Sequence, residues 1–177
     1  MTPLPLDQDL SDRIRGGSSE ALEGLYRAAG ARLYALAWRL TFNRADAEDI
    51  VHDLFVGLPG ALAGYRERGR FEAWLKRLLV RTALMKGRGR RRQLERDSAY
   101  AAEMQREISP STPWEEGGAE RLLATLPETL RPVVLLREIE GMSHAEIGKA
   151  LGISEAASRL RLWRGLEQLR KAIRKQR

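Results

Sequence analysis

The sequence predicts an all-α fold, with two small helical domains joined by a flexible linker. Three observations predict it. The chain of 177 residues is 43% hydrophobic, 31% charged and only 6% aromatic, with many Arg and Glu and few β-branched residues; straight-chain residues lose little rotamer freedom in a helix. Apolar residues recur at three- and four-residue steps through most of the chain, the period of a helix with one buried face. The stretch Ser109 to Gly118 (SPSTPWEEGG) concentrates Pro, Ser, Thr and Gly, a composition that buries too little surface to fold alone. The boundaries expected are a first domain over 1–96, a linker over 97–118 and a second domain over 119–177.

The elements follow in order. From Asp9 the text reads as a short helix, a break at Gly16-Gly17, and a second helix capped by Ser18 or Ser19. That helix continues through Ala35, Trp38 and Leu40 and stops at Asn43, whose short polar side chain tolerates a turn. Asp46 begins a third helix. Its stripe is Ile50, Val51, Leu54, Phe55 and Leu58, while Asp46, Glu48, Asp49, His52 and Asp53 form an early polar face. Pro59-Gly60 interrupts or kinks it, and Gly64 to Gly69 reads as a loop. The fourth helix has the stripe Phe71, Trp74, Leu75, Leu78, Leu79 and Leu84, and runs into Lys86, Arg88, Arg90, Arg91, Arg92 and Arg96.

Beyond the linker, Val133, Val134, Leu136 and Ile139 give a buried stripe that ends near Gly141, with Pro132 delaying or bending the helix start. Ser143 with Glu146 forms an S-x-x-E capping box for a short helix whose inward residues are Ala145, Ile147 and Leu151. Gly152 makes a tight turn. Ser154 then caps a long helix in which Leu162, Leu166, Leu169 and Ile173 face one way, with Ser158 and Gly165 on the same side. At about 100° per residue, Arg159, Leu160, Trp163 and Arg164 share the opposite face. A short helix, a turn and a long helix with an outward basic face is helix-turn-helix geometry. Trp163 and Leu160 stand beside arginines, where a purely solvated face seldom places large apolar groups; a base-reading face uses them against thymine methyls and sugars.

Charge narrows the function. The formal charge is +7, and a basic chain seeks a polyanion. The N-terminal MTPLPLDQDL lacks the features of a signal peptide, and the longest aliphatic run, Val133 to Leu136, is far short of the roughly 20 residues that span a bilayer. No membrane insertion is expected, and the chain reads as cytoplasmic. With no cysteine, disulfides and thiol chemistry are excluded. No catalytic group, cofactor or metal site is expected. His52 and His144 are single and read as surface residues, and the acids Asp46, Glu48, Asp49 and Asp53 are spread around a helix rather than converging as a magnesium site requires. A stand-alone helix-turn-helix regulator and an enzyme with an appended DNA reader are the competing classes.

The segment Leu126 to Arg174 resembles region 4 of bacterial sigma-70-type initiation factors, in LP...R.V.LLRE.EGMS..EIG.ALGIS......RL.RG.E.LR. EALEGLYR, DAEDIVHDLFVGL and FEAWLKRLLVRTAL with the arginine run resemble region 2 of the same family, in the same order and spacing. The short interval between them leaves no room for a region 3 domain, so the chain is most similar to the extracytoplasmic-function (ECF) subfamily. The resemblance spans roughly 9–96 and 118–174.

It implies a sigma factor that binds core RNA polymerase, recognises −10 and −35 elements and assists promoter melting, with core polymerase, promoter DNA and an anti-sigma factor as partners. By resemblance, Asp49, His52, Asp53 and Phe55 dock on polymerase. Tyr65, Arg66, Arg68, Arg70, Arg77, Arg81, Lys86 and Arg88 meet the −10 element; Arg159, Leu160, Trp163 and Arg164 read the −35 element, with Ser154 and Arg161 near backbone. The stretch from Arg96 to Gly118 would thread through polymerase towards the RNA path. Arg81 and Met85 stand where many members carry Asn and Asp, and Ala156, Ala157, Ser158 and Leu160 where Gly, Thr, Val and Ser are common.

Overall fold

The computed structural model describes residues 8–66, 71–96 and 118–175, and among them every regular element is helical. The first group comprises α1 (Gln8–Arg15), α2 (Ser19–Thr41), α3 (Arg44–Leu62) and α4 (Phe71–Arg96). Ser18 is the cap of α2, its hydroxyl accepting the Ala21 N–H at 3.2 Å. The turn expected at Asn43 falls one residue earlier. Phe42 takes the left-handed conformation (φ 49°), and Asn43 instead caps α3, its Oδ1 accepting the Asp46 N–H at 2.9 Å, so the helix begins at Arg44 rather than Asp46.

Pro59 lies inside α3, which runs on to Leu62 without ending. A helix-interior proline opposes that by about 3 kcal/mol. Leu58 and Leu62 flank it fully buried, and their burial offsets the loss. These four helices enclose Leu25, Leu33, Leu36, Ile50, Leu54, Leu58, Leu75 and Leu79.

The second group comprises α5 (Gly118–Ala124), α6 (Arg131–Val134) with a π-helical turn over Leu135–Ile139, α7 (His144–Leu151) and α8 (Glu155–Lys175). Pro132 sits in the first turn of α6, where its missing N–H has no partner to lose. The π turn corrects the expected stripe. A wider turn advances each residue by less than the α-helical angle, so Ile139 rotates off the buried side and is 46% exposed, while Leu135 joins Leu136 in the core. Ala145 is also exposed: it lies about 200° round α7 from the buried Ile147. At the end of α8, Ala172 rather than Ile173 lines a shallow groove with Thr125, and Ile173 is exposed.

The two groups pack on each other, and their buried residues form one continuous cluster. The α4 helix lies against α7 and the α2 helix touches α5. Ion pairs between described residues cross the boundary: Arg39 with Glu120 at 3.3 Å, Lys76 with Glu140 at 2.7 Å, and Arg77 with Glu146 at 3.6 Å. Arg131 stands at the same seam. Its guanidinium donates to the carbonyls of Leu123, Ala124 and Leu126 and lies 4.9 Å from the Phe42 ring centre. Burial lowers its pKa, with Glu128 opposing the shift.

Candidate nucleic-acid interface

The start of α7 is fixed by a complete capping box: the Ser143 hydroxyl accepts the Glu146 N–H at 3.2 Å, and a Glu146 carboxylate oxygen accepts the Ser143 N–H at 2.9 Å. Gly152 ends the helix in the left-handed conformation, with φ 67°. The turn back is tight enough that a Cβ on Gly148 would sit 2.8 Å from the Ile153 carbonyl oxygen. Ser154 then caps α8, accepting the Ala157 N–H at 3.1 Å.

Two further contacts seat α8. At Gly165 a Cβ would lie 2.5 Å from Val134 Cγ2, so α8 meets α6 at closer range than any larger residue permits. At Ser158, whose exposure is 0%, the hydroxyl is 2.9 Å from Nδ1 of His144. His144 is therefore a half-buried inter-helix partner and not the surface residue expected from its isolation in the sequence. His52 is exposed, as expected.

With its inner side held, α8 turns Arg159, Leu160, Trp163 and Arg164 outward. Leu160 is 47% and Trp163 61% exposed; both arginines are exposed, Arg161 is half-buried and Ser154 exposed at the N-terminus. Arg159 is steadied by Glu155 one turn back. The structure thus brings together all the residues expected to share a reading face.

In the first group, α3 exposes Asp49, His52 and Asp53. Phe55 is 7% exposed and meets Tyr26 edge-on at 5.0 Å, so it belongs to the core beneath that face. Lys86 reaches over from α4 to Asp49 at 2.8 Å and Asp53 at 3.3 Å. Burial alone would lower its pKa, but the two carboxylates outweigh it and the net shift is upward. Lys86, expected among the −10 contacts, is thus ion-paired to the acidic face. Among the described residues no group of three or more His, Cys, Asp and Glu side chains could hold a metal ion.

Tyr65 is half-buried against Phe71 (5.6 Å) and Trp74 (4.9 Å), while Arg66 is exposed beside it. Arg81 is exposed on α4. Arg77, one turn earlier, is half-buried and faces Glu146 of α7. The expectations for Arg68, Arg70, the Arg88 side chain and the linker over 97–117 lie outside the described residues. Sequence reasoning missed Lys76, Glu140, Arg131 and the His144–Ser158 contact. Each depends on a partner in another element, which no local pattern names.

A helix-turn-helix that projects arginines and a tryptophan, mounted on a bundle with an acidic helix and a basic helix, is the arrangement of a DNA-binding protein. Comparison with known proteins narrows this. The family model for sigma-70 region 2 matches residues 25–93, and that for sigma-70 region 4 matches residues 118–169. The chain is 34% identical over 152 residues to the ECF RNA polymerase sigma factor SigE of Mycolicibacterium smegmatis, covering 82% of this chain and 59% of that protein. It is 30% identical to RNA polymerase sigma factor CarQ of Myxococcus xanthus, covering 92% and 94% of the two chains. Among solved structures, CnrH in complex with the cytosolic domain of CnrY aligns with a TM-score of 0.62 at 25% identity, over 96% of this chain and 97% of that one. The sigma factor RpoE of Bartonella quintana, in complex with the anti-sigma factor NepR, shares the fold with a TM-score of 0.66 at 18% identity, over 88% and 98%.

The chain belongs to the sigma-70 family of RNA polymerase sigma factors, in its extracytoplasmic-function branch. Among the described residues no helix is long and apolar enough to cross a membrane.

Proposed function

We propose that this chain binds core RNA polymerase and directs it to promoters, with residues 1–96 engaging polymerase and the −10 element and residues 119–177 reading the −35 element. The observation that carries the reading is the outward face of α8, where Arg159, Leu160, Trp163 and Arg164 are exposed on the second helix of a helix-turn-helix. Arginine pairs bidentately with guanine, and the apolar groups suit thymine methyls. Arg161 and Ser154 flank that face and suit phosphates.

On α3, exposed Asp49, His52 and Asp53 present an acidic surface that favours a basic groove of polymerase, with Phe55 supporting it from beneath. Half-buried Tyr65 and exposed Arg66 and Arg81 are the groups suited to stack on unstacked −10 bases and hold their phosphates. Arg77 and Lys86 join them once their carboxylate partners release them. No covalent chemistry is needed: the chain acts by positioning polymerase and capturing opened DNA. An anti-sigma factor that covers the polymerase-binding surface is the further partner proposed.

Reconstitution with purified core enzyme tests this. Promoter-dependent transcripts from a genomic fragment library, lost when either α8 face or α3 face is neutralised, are the expected result. If core enzyme plus this chain starts transcription no more selectively than core enzyme alone, the proposal fails.

A further inference from the structure

We propose that His144 is a positioning residue for promoter reading: its bond to the buried Ser158 hydroxyl sets the rotation of α8 about its own axis, and hence the register of the reading face in the major groove. The inference rests on the −35 assignment proposed above for α8.

The site has three features. Ser158 is the most deeply buried of the polar side chains found in the core, at 0% exposed, and a buried hydroxyl without a partner is costly to leave. Its partner is His144 Nδ1 at 2.9 Å, an ordinary hydrogen-bond length whichever atom donates. His144 is itself immobilised, since it is the first residue of α7, directly behind the Ser143–Glu146 capping box.

The remaining contacts between α7 and α8 do not fix rotation as well. Apolar burial is non-directional, so helices held by it alone can roll. The close approach of Gly148 to the Ile153 carbonyl anchors the turn end only. The His144–Ser158 bond supplies a second anchor one helical turn further out on α7, and a hydrogen bond is directional. With Gly165 seated against Val134 of α6, the bond adds the directional contact that sets how α8 is turned against α7.

The leverage is large. An arginine tip stands about 6 Å from the helix axis, so a roll of roughly 20° moves it by about 2 Å. That exceeds the whole spread of acceptable hydrogen-bond distances, and bidentate base contacts would be lost while looser phosphate contacts survive. Removing the bond should therefore cost discrimination more than affinity.

The test uses full-length chain assembled with core polymerase on a library with a randomised −35 element and a constant −10 element. Five forms are compared: wild type, His144→Phe, Ser158→Ala, the double substitution of these two, and His144→Asn, whose amide can place a hydrogen-bonding nitrogen near the position of Nδ1. Helix content and melting are followed by circular dichroism, and transcription is run well below each melting temperature.

The expected result is that wild type and His144→Asn select the same −35 sequence. His144→Phe and Ser158→Ala lose about five- to tenfold in preference for that sequence over its single-base variants, and keep initiation at promoters that rely on the −10 element. The double substitution His144→Phe with Ser158→Ala loses no more than either alone, because both remove one contact. Folded variants that retain wild-type preference, or that lose initiation equally on every −35 sequence, overturn the inference while leaving the −35 assignment intact. A wild type with no −35 preference overturns both.

Discussion

Gly165 and Trp163 lie two residues apart on α8 and answer to opposite demands. Gly165 is buried where a Cβ would come within 2.5 Å of Val134 Cγ2, and valine has no flexible end to swing away. In an open helix Gly→Ala gains about 1 kcal/mol, but overpacking costs about 1–3 kcal/mol. Gly165→Ala is expected to lower stability by up to about 2 kcal/mol in urea denaturation, with a less than additive loss when combined with Val134→Ala. Trp163, at 61% exposed, has little folded structure to support. Trp163→Ala should leave unfolding free energy within about 0.5 kcal/mol of wild type yet reduce −35-dependent transcription several-fold. An equal loss in both measurements would make the side chain structural. Both residues were assigned to their faces from helical phase alone, because on a long regular helix phase is a local property. The distance from Gly165 to Val134 was not legible, since it depends on how another helix lies across it.

Elements show where local rules hold and where packing overrides them. The α7 capping box was readable because Ser143 and Glu146 need only each other; Ser143→Ala is expected to cost about 1 kcal/mol, seen as faster amide exchange confined to the first turn of α7. In α3 the proline rule predicted an end or a kink, and the helix continues because Leu58 and Leu62 are pulled into the core. Pro59→Ala restores a backbone donor and should stabilise the protein by about 1–3 kcal/mol, measured by chemical denaturation. A destabilised variant would show that the proline sets a bend the packing requires. The π turn over Leu135–Ile139 left no mark in the sequence, and it alone displaced Ile139 from its expected stripe. Extra residues per turn come from how α6 meets its neighbours, not from propensity.

At the scale of the whole molecule, the fold class and the outward face of α8 followed from period and motif, whereas the seam between the two groups did not. Lys76, Glu140, Arg77 and Glu146 are separated along the chain by intervals no pattern marks. Lys76 is the most informative of them. Burial acts to lower its pKa, but hydrogen bonds and charge from Glu140 and Glu72 outweigh that and raise it above the ordinary 10.5. With a folded value above the unfolded one, the stabilisation is complete below 10.5 and disappears as pH rises through the folded value. The difference in unfolding free energy between wild type and Lys76→Gln should be flat across neutral pH and shrink only in the alkaline range. The acidic partners of Arg77 and Lys86 have a consequence of another kind. DNA binding normally gains from freeing the small cations condensed on phosphates, in proportion to the basic groups engaged. Glu146, Asp49 and Asp53 already occupy Arg77 and Lys86, two of the groups proposed to engage DNA, and once displaced they must gather sodium or potassium from solution. The ionic-strength dependence of promoter binding should be shallower than a count of arginines and lysines at the interface implies.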